Sequence, residues 1–244
     1  NSFDSDGFTL GNQNQLNDTG ATYASWNWKG GGTGVSNAEG DITSTVSANT
    51  TSGVSIIKFT GNSSTSQSFG HGLNGTPKIW FIKNISVGGD NWQVYIDGIR
   101  LKLDTTEVGE ANYLMTANST TITTPSSSGA GWGNYNGQDF MVYAFQNIQG
   151  FSKAGSYTGN GNADGTFIYT GFKVGWILIK DSGRAESWYI FDNRRLGYNG
   201  GMADLIANST ATESGSSATL LDLVSNGFKL TGTTDHLNGS GQNF

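Results

Sequence analysis

Short apolar runs, each closed off by glycine, asparagine or serine, set the rhythm of this chain. They lie at 56–59 (IIKF), 78–83 (KIWFIK), 92–96 (WQVYI), 140–145 (FMVYAF), 166–172 (TFIYTGF), 176–180 (WILIK) and 188–192 (WYIFD). Runs of this length, rich in β-branched and aromatic residues between turn formers, predict strands. Several are apolar at successive positions, which suits strands covered on both faces, as inside a sandwich. Three other stretches, 111–117 (ANYLMTA), 203–207 (ADLIA) and 220–224, also fit a short helical turn. The pattern predicts an all-β protein of β-sandwich or jelly-roll-like units.

The runs also recur. IIKFTGN ending at Asn62 matches GSYTGN ending at Asn160, PKIWFIK matches VGWILIK, NWQVYID matches SWYIFD, and ANYLMTANST matches ADLIANST. The separation drifts from 98 to 90 residues, as expected when insertions fall in loops. A partial third copy opens the chain: SDGFTLG from Ser5 matches SNGFKLTG from Ser225, and LNDTGATY ending at Tyr23 matches LNGSGQNF ending at Phe244. This predicts tandem repeats of about 95 residues. Residues 1–29 are the end of a preceding unit, 30–53 a Gly/Ser/Thr-rich linker, 54–152 one unit, and 153–244 a second lacking its last strand. The plainer reading of that phasing is an excerpt of a longer chain. The sharper one is an assembly strand carrying Tyr23, Trp26 and Trp28, which fills the empty position within the chain or in a neighbour by strand addition.

Composition narrows the function. Glycine reaches 37 residues while charged residues are 13% and aromatics 12%, a balance that suits turns and strands and argues against disorder. The net charge of −6, with sparse Lys and Arg, argues against nucleic acid as a partner, because phosphate contacts supply most non-specific affinity. The absence of cysteine excludes disulfides and thiolate metal sites. No apolar run approaches the ~18 residues of a membrane span, so membrane insertion is not expected, and no secretory leader or initiator Met opens the chain.

Candidate chemistry is thin. Two histidines, His71 in a GHGL turn and His236 in a polar loop, cannot build a His-rich metal site, and no G-x-S-x-G elbow is present. His71 is expected to cap backbone groups. Asp97 and Asp192 sit at matched strand ends and are read as ion-pair partners of Arg100 and Arg194, not as a glycosidase pair. The loops at 4–7 and 162–165 are read as β-turns, since a calcium loop needs alternating ligands and a closing Glu. No metal and no cofactor is expected. Trp92 and Trp188 match each other and are assigned to the core. Trp132 in GAGWGNY, with Tyr135 and Tyr198, is the glycan-contact candidate, because flat aromatic faces on Gly-rich loops stack on sugars.

The phrases FDSDGFTLG, GDITSTVSANTTSG, VSIIKFTGN, GFSKAGSYTGNG, ADGTFIYTGF and NGFKL resemble an uncharacterised repeat domain. It belongs to the C-terminal part of large predicted phage structural proteins, common in marine and cyanobacterial phages, where it often follows a lectin-like sandwich domain. The resemblance implies a virion component (a tail fibre, adhesin or capsid appendage) and no assigned catalytic residues. The expected function is therefore non-catalytic: surface binding and assembly on a virion, with other copies, other virion proteins or a host-surface glycan as partners. A secreted bacterial filament or adhesin polymerising by strand addition, and a phage-associated polysaccharide-degrading enzyme, are the rivals.

Overall fold

The computed structural model describes residues 2–4, 6–125, 133–195, 199, 203–214 and 220–244. Its first elements are β1 (Ser2–Phe3), β2 (Phe8–Thr9), the one-turn α1 (Asn14–Asn17), β3 (Val35–Asn37), β4 (Ser44–Asn49), β5 (Val54–Thr60) and β6 (Ser68–Gly70). Then come β7 (Ile79–Asn84), β8 (Gln93–Ile96), β9 (Ile99–Lys102), β10 (Thr116–Ala117), β11 (Thr121–Thr123) and β12 (Asp139–Phe145). The last are β13 (Phe167–Tyr169), β14 (Trp176–Lys180), β15 (Trp188–Asp192), β16 (Leu205–Ile206), β17 (Leu221–Val224), β18 (Gly227–Leu230) and α2 (Asp235–Asn238). The chain is all-β with several separate sheets, as its pattern predicted.

A seven-stranded antiparallel sheet, β3-β4-β5-β12-β7-β8-β9, shares a core with the small sheet β10-β11-β6. β12 shows why: Phe140, Val142 and Ala144 are buried while Met141, Tyr143 and Phe145 point to the other face. Phe59 stacks on both Phe69 and Phe140, tying the two sheets together. Further along the chain, β13-β18-β17 and β14-β15-β16 share a second core of Ile177, Ile179, Phe191, Leu221, Leu223, Leu230, Leu237 and Phe244. A third cluster joins the two halves. The outer faces of β7, β8 and β9 meet β14 and β15 through Val94, Leu101, Leu178 and Trp188, and Trp188 Nε1 donates to the Lys102 carbonyl at 2.8 Å. The β8–β9 hairpin turns on Asp97 and Gly98, both with positive φ (48° and 75°), the combination a two-residue type I′ turn requires.

One construction occurs twice. Gly61 N–H donates to the Gln138 carbonyl and Asn62 N–H to Asn134 Oδ1, each at 2.9 Å. Gly159 N–H donates to the Gln242 carbonyl at 2.9 Å and Asn160 N–H to Asn238 Oδ1 at 3.0 Å. Only glycine fits either position: a Cβ would lie 2.2 Å from the Tyr135 carbonyl oxygen at Gly61 and 2.4 Å from that of Gly239 at Gly159.

Several expectations change. Residues 30–53 are not simply a linker, since β3 and β4 extend the large sheet. Ile42, Ser44 and Val46 alternate inward, and the buried Ser44 hydroxyl is satisfied by the Gly70 carbonyl at 2.8 Å, so a serine can hold a core position. None of the three possible helical turns forms: they contribute to β10, β16 and β17, each pinned by a neighbouring strand that overrides local propensity. The 166–172 run keeps only three residues in a strand. Trp188 is buried as expected, whereas Trp92 is half-buried and leans on Tyr143.

Candidate functional site

Glycan contact was expected at Trp132, Tyr135 and Tyr198. Trp132 and Tyr198 lie outside the described residues. Tyr135 is half-buried and packed against the first core, so its ring is only partly offered to a ligand.

The expected assembly strand is better defined. Residues 24–29 form no strand here. Tyr23 is exposed; its hydroxyl accepts from Asp18 N–H and donates to the Asn14 carbonyl, closing the loop after α1. Trp26 lies 5.6 Å from the Arg195 guanidinium and its Nε1 donates to Asp192 Oδ2 at 3.2 Å. Trp28 packs edge-on against Phe145 and Trp176, with ring centroids 5.9 and 5.2 Å away. Behind it, Asn49 Nδ2 donates to the Lys29 carbonyl, and Gly31 presses so close to Ala48 that a Cβ would meet its carbonyl oxygen at 2.2 Å. The segment thus spans from the edge of β4 to the end of β14.

Beside it runs the edge of β14, whose only strand neighbour among the described residues is β15. Backbone groups of an antiparallel strand alternate sides. Asn193 N–H bonds to Gly175 O, and Ile177 and Ile179 pair with Phe191 and Tyr189, so the N–H and C=O of Trp176, Leu178 and Lys180 point the other way. The far end of that edge is already occupied: Ser182 N–H donates to Asn243 O at 2.9 Å, and Phe244 exchanges both backbone bonds with Tyr157. In the large sheet, Ile85 N–H likewise bonds Asp139 O, Phe140 pairs with Phe59, and β12 then runs on along β7. Trp176 Nε1 is buried without a hydrogen-bond partner among the described residues.

Several charged groups are paired within the fold. Burial works against the Asp192 carboxylate, but hydrogen bonds from the Arg195 side chain and the N–H groups of Arg194 and Arg195 overcome it and hold its pKa below the ordinary range. Its ion-pair partner is therefore Arg195, with Arg194 giving only its backbone, while Asp97 pairs with Lys78 and not with Arg100, which pairs with Glu110. Asp181 accepts from Arg184, which also reaches Asp235. His71 is fully buried: Nδ1 accepts from Leu73 N–H at 3.1 Å, leaving Nε2 to donate to the Asn118 carbonyl at 3.2 Å, the expected capping role. His236 lies in α2, stacked on Tyr189. Asp4 accepts from Ser2 and Thr9 side chains within the β1–β2 hairpin.

Among the described residues no three His, Asp or Glu side chains gather to hold a metal, and no helix is long and apolar enough to cross a membrane. A cavity lined by Ile82, Asn84, Asp90, Gln93 and Phe140 measures about 10 Å³. That is room for one water, whereas small-molecule pockets run to hundreds of cubic ångströms.

A family described as a domain of unknown function, DUF7483, matches residues 1–244. The chain belongs to that family. No curated protein and no solved structure matches it. Of this DUF7483 domain's features, the glycine–asparagine locks at 61–62 and 159–160 were missed in the sequence, although the recurring TGN tripeptide was their visible sign.

Proposed function

We propose that this chain is a non-catalytic structural and adhesive module of a virion surface, part of a tail fibre or capsid appendage, built from tandem β-sandwich units. The observation that carries the reading is the duplicated lock. Gly61–Asn62 closes on Asn134 and Gln138, and Gly159–Asn160 closes on Asn238 and Gln242, with the same atoms at nearly the same distances. β14 beside β15 parallels β7 beside β8, the strands matched in the sequence repeat, and β13-β18-β17 has the same order along the chain as β6-β11-β10, which supports two copies of one unit. A repeated unit stacked through an apolar interface, here Trp188 against Val94 and Leu101, is how quasi-linear assemblies are made. The non-catalytic reading draws support from Asp97, Asp139, Asp181 and Asp192, each of which is paired with a lysine or arginine. The phage resemblance supplies the virion setting and the host-surface glycan as ligand.

The test is to present the purified chain to a glycan array and to the same polysaccharides in a reducing-end release assay. Binding without release is expected. Release of reducing ends, abolished by substituting a carboxylate pair, would replace this reading with the polysaccharide-degrading one.

A further inference from the structure

We propose that the outer face of β13 is a carbohydrate-binding platform, on which Phe167 and Tyr169 stack against a neutral polysaccharide chain. The inference rests on the adhesive role just proposed and gives it a site. Phe167 and Tyr169 alternate with Ile168, which packs on the second core, so both rings stand on the opposite face, 47% and 63% exposed. Tyr169 pairs with Gly227, which brings no side chain to that face: a Cβ there would lie 2.1 Å from the Ile168 carbonyl oxygen and 3.2 Å from Phe167 Cε2. Tyr169 also lies against Gly171, another bare position, whose would-be Cβ is 3.4 Å from the phenol oxygen. The floor around the rings is therefore backbone, open to a flat ligand.

The corresponding strand earlier in the chain shows this face when protein covers it. β6 pairs with β11 as β13 pairs with β18, and the pairs end alike: His71 N–H donates to the Thr120 carbonyl at 3.1 Å, and Thr170 N–H to the Asn226 carbonyl at 3.0 Å. That register puts Ser68 where Phe167 stands and Gly70 where Tyr169 stands. Ser68 Oγ donates to Asp41 Oδ2 at 2.7 Å, and a Cβ on Gly70 would meet Asn37 Oδ1 at 2.0 Å. Under the chain's own turn the two positions are small. On β13, where both are open to solvent, they are aromatic.

The size and charge of the patch select the partner. The two rings together expose roughly 200 Å², about a quarter of the ~800 Å² per side that a stable protein interface buries. Along the row of Phe167 lie Lys229 of β18 and Asp222 of β17, and Lys229 is paired with Asp164. The rim thus offers hydrogen-bonding groups without surplus positive charge for an anionic ligand. A neutral sugar meets both conditions: its C–H face lies on the electron-rich face of an aromatic ring, and its hydroxyls take donors and acceptors at the edge. Residues two apart on a strand are spaced by about 7 Å, so a linked chain, not a single sugar, reaches both rings.

The test is affinity gel electrophoresis in soluble neutral polysaccharides (a dextran, a galactomannan and a mixed-linkage β-glucan), beside a neutral glycan array. F167S/Y169S should weaken binding roughly tenfold or more with its urea midpoint nearly unchanged, and F167W/Y169W should retain binding. Hydroxyl-radical footprinting of the complex should protect Tyr169 and leave Tyr23, itself 51% exposed, as reactive as before. Binding that survives F167S/Y169S, or protection that falls elsewhere, overturns the site and leaves the adhesive function standing. A wild-type chain that binds no glycan overturns both. Self-association that F167S/Y169S abolishes, with glycan binding intact, would assign the rings to a protein contact and likewise overturn the site.

Discussion

Residues 2–17 and 222–238 are built alike and treated oppositely. β1 and β2 pair Phe3 with Phe8, and β17 and β18 pair Leu223 with Phe228. Each hairpin is followed by a single helical turn, NQLN in α1 and DHLN in α2. Yet Leu237 is 1% exposed and Leu16 49%, and Phe228 is 6% exposed against 41% for Phe8. The later hairpin lies on the Ile177, Ile179 and Phe191 core, while the earlier one has no such layer beneath it among the described residues. Local sequence is thus enough to draw a hairpin and a turn of helix, but burial depends on what the rest of the chain brings alongside.

The comparison can be broken most sharply at the matched leucines. Leu237→Ala should cost about 2–5 kcal/mol, the range for emptying a buried leucine site, while Leu16→Ala should cost under ~0.5 kcal/mol; urea midpoints read both. Next come the matched asparagines. Asn238 donates to the Asn162 and Gly232 carbonyls and accepts from Asn160, all from a buried position. Asn238→Ala should lose about 1–3 kcal/mol by orphaning those groups. Asn17, an exposed residue whose amide donates to the Gly11 carbonyl, should lose far less.

A smaller effect is set by pH. Burial lowers the His236 pKa from its ordinary 6.5, and does the same at His71. Because the unfolded chain then binds more protons, stability is full above about pH 6.5 and declines as the pH falls through the folded values. His236→Gln, which installs the residue found at the matching position 15, should flatten that decline, as melting between pH 7.5 and 5 would reveal. Smallest of all, Phe3→Ser with Phe8→Ser should leave the melting temperature nearly unchanged. A clear drop would mean that this hairpin is covered in solution after all.

How much of this was legible beforehand depended on range. WILIK and WYIFD became β14 and β15 residue for residue, because a five-residue run rich in β-branched and aromatic residues between turn formers is too short for a helix. Residues 30–53 misled because the strand there buries Ser44 at an inward position, and a serine looks like solvent until the Gly70 carbonyl that satisfies it is known. At the candidate site, Trp26 and Trp28 stood out through their match to β12, but their meeting with Arg195 and Trp176 joins residues some 150 positions apart. Asp97 and Asp192 were correctly located at strand ends, yet their partners turned out to be Lys78 and Arg195, chosen by side-chain reach and not by order along the chain.

The sequence by itself determined that this is an all-β chain of short strands, where the strongest of them begin and end, and that its early and late segments are written in one pattern. Those properties follow from residue type and period over a few positions, which act wherever the segment lies. Only the tertiary structure decided which copy of that pattern is buried, which glycines must remain glycine, and that Trp26 and Trp28 meet the end of β14. Each of these depends on a second surface arriving from far along the chain, and burial, close backbone approach and side-chain contact are properties of two partners, not one.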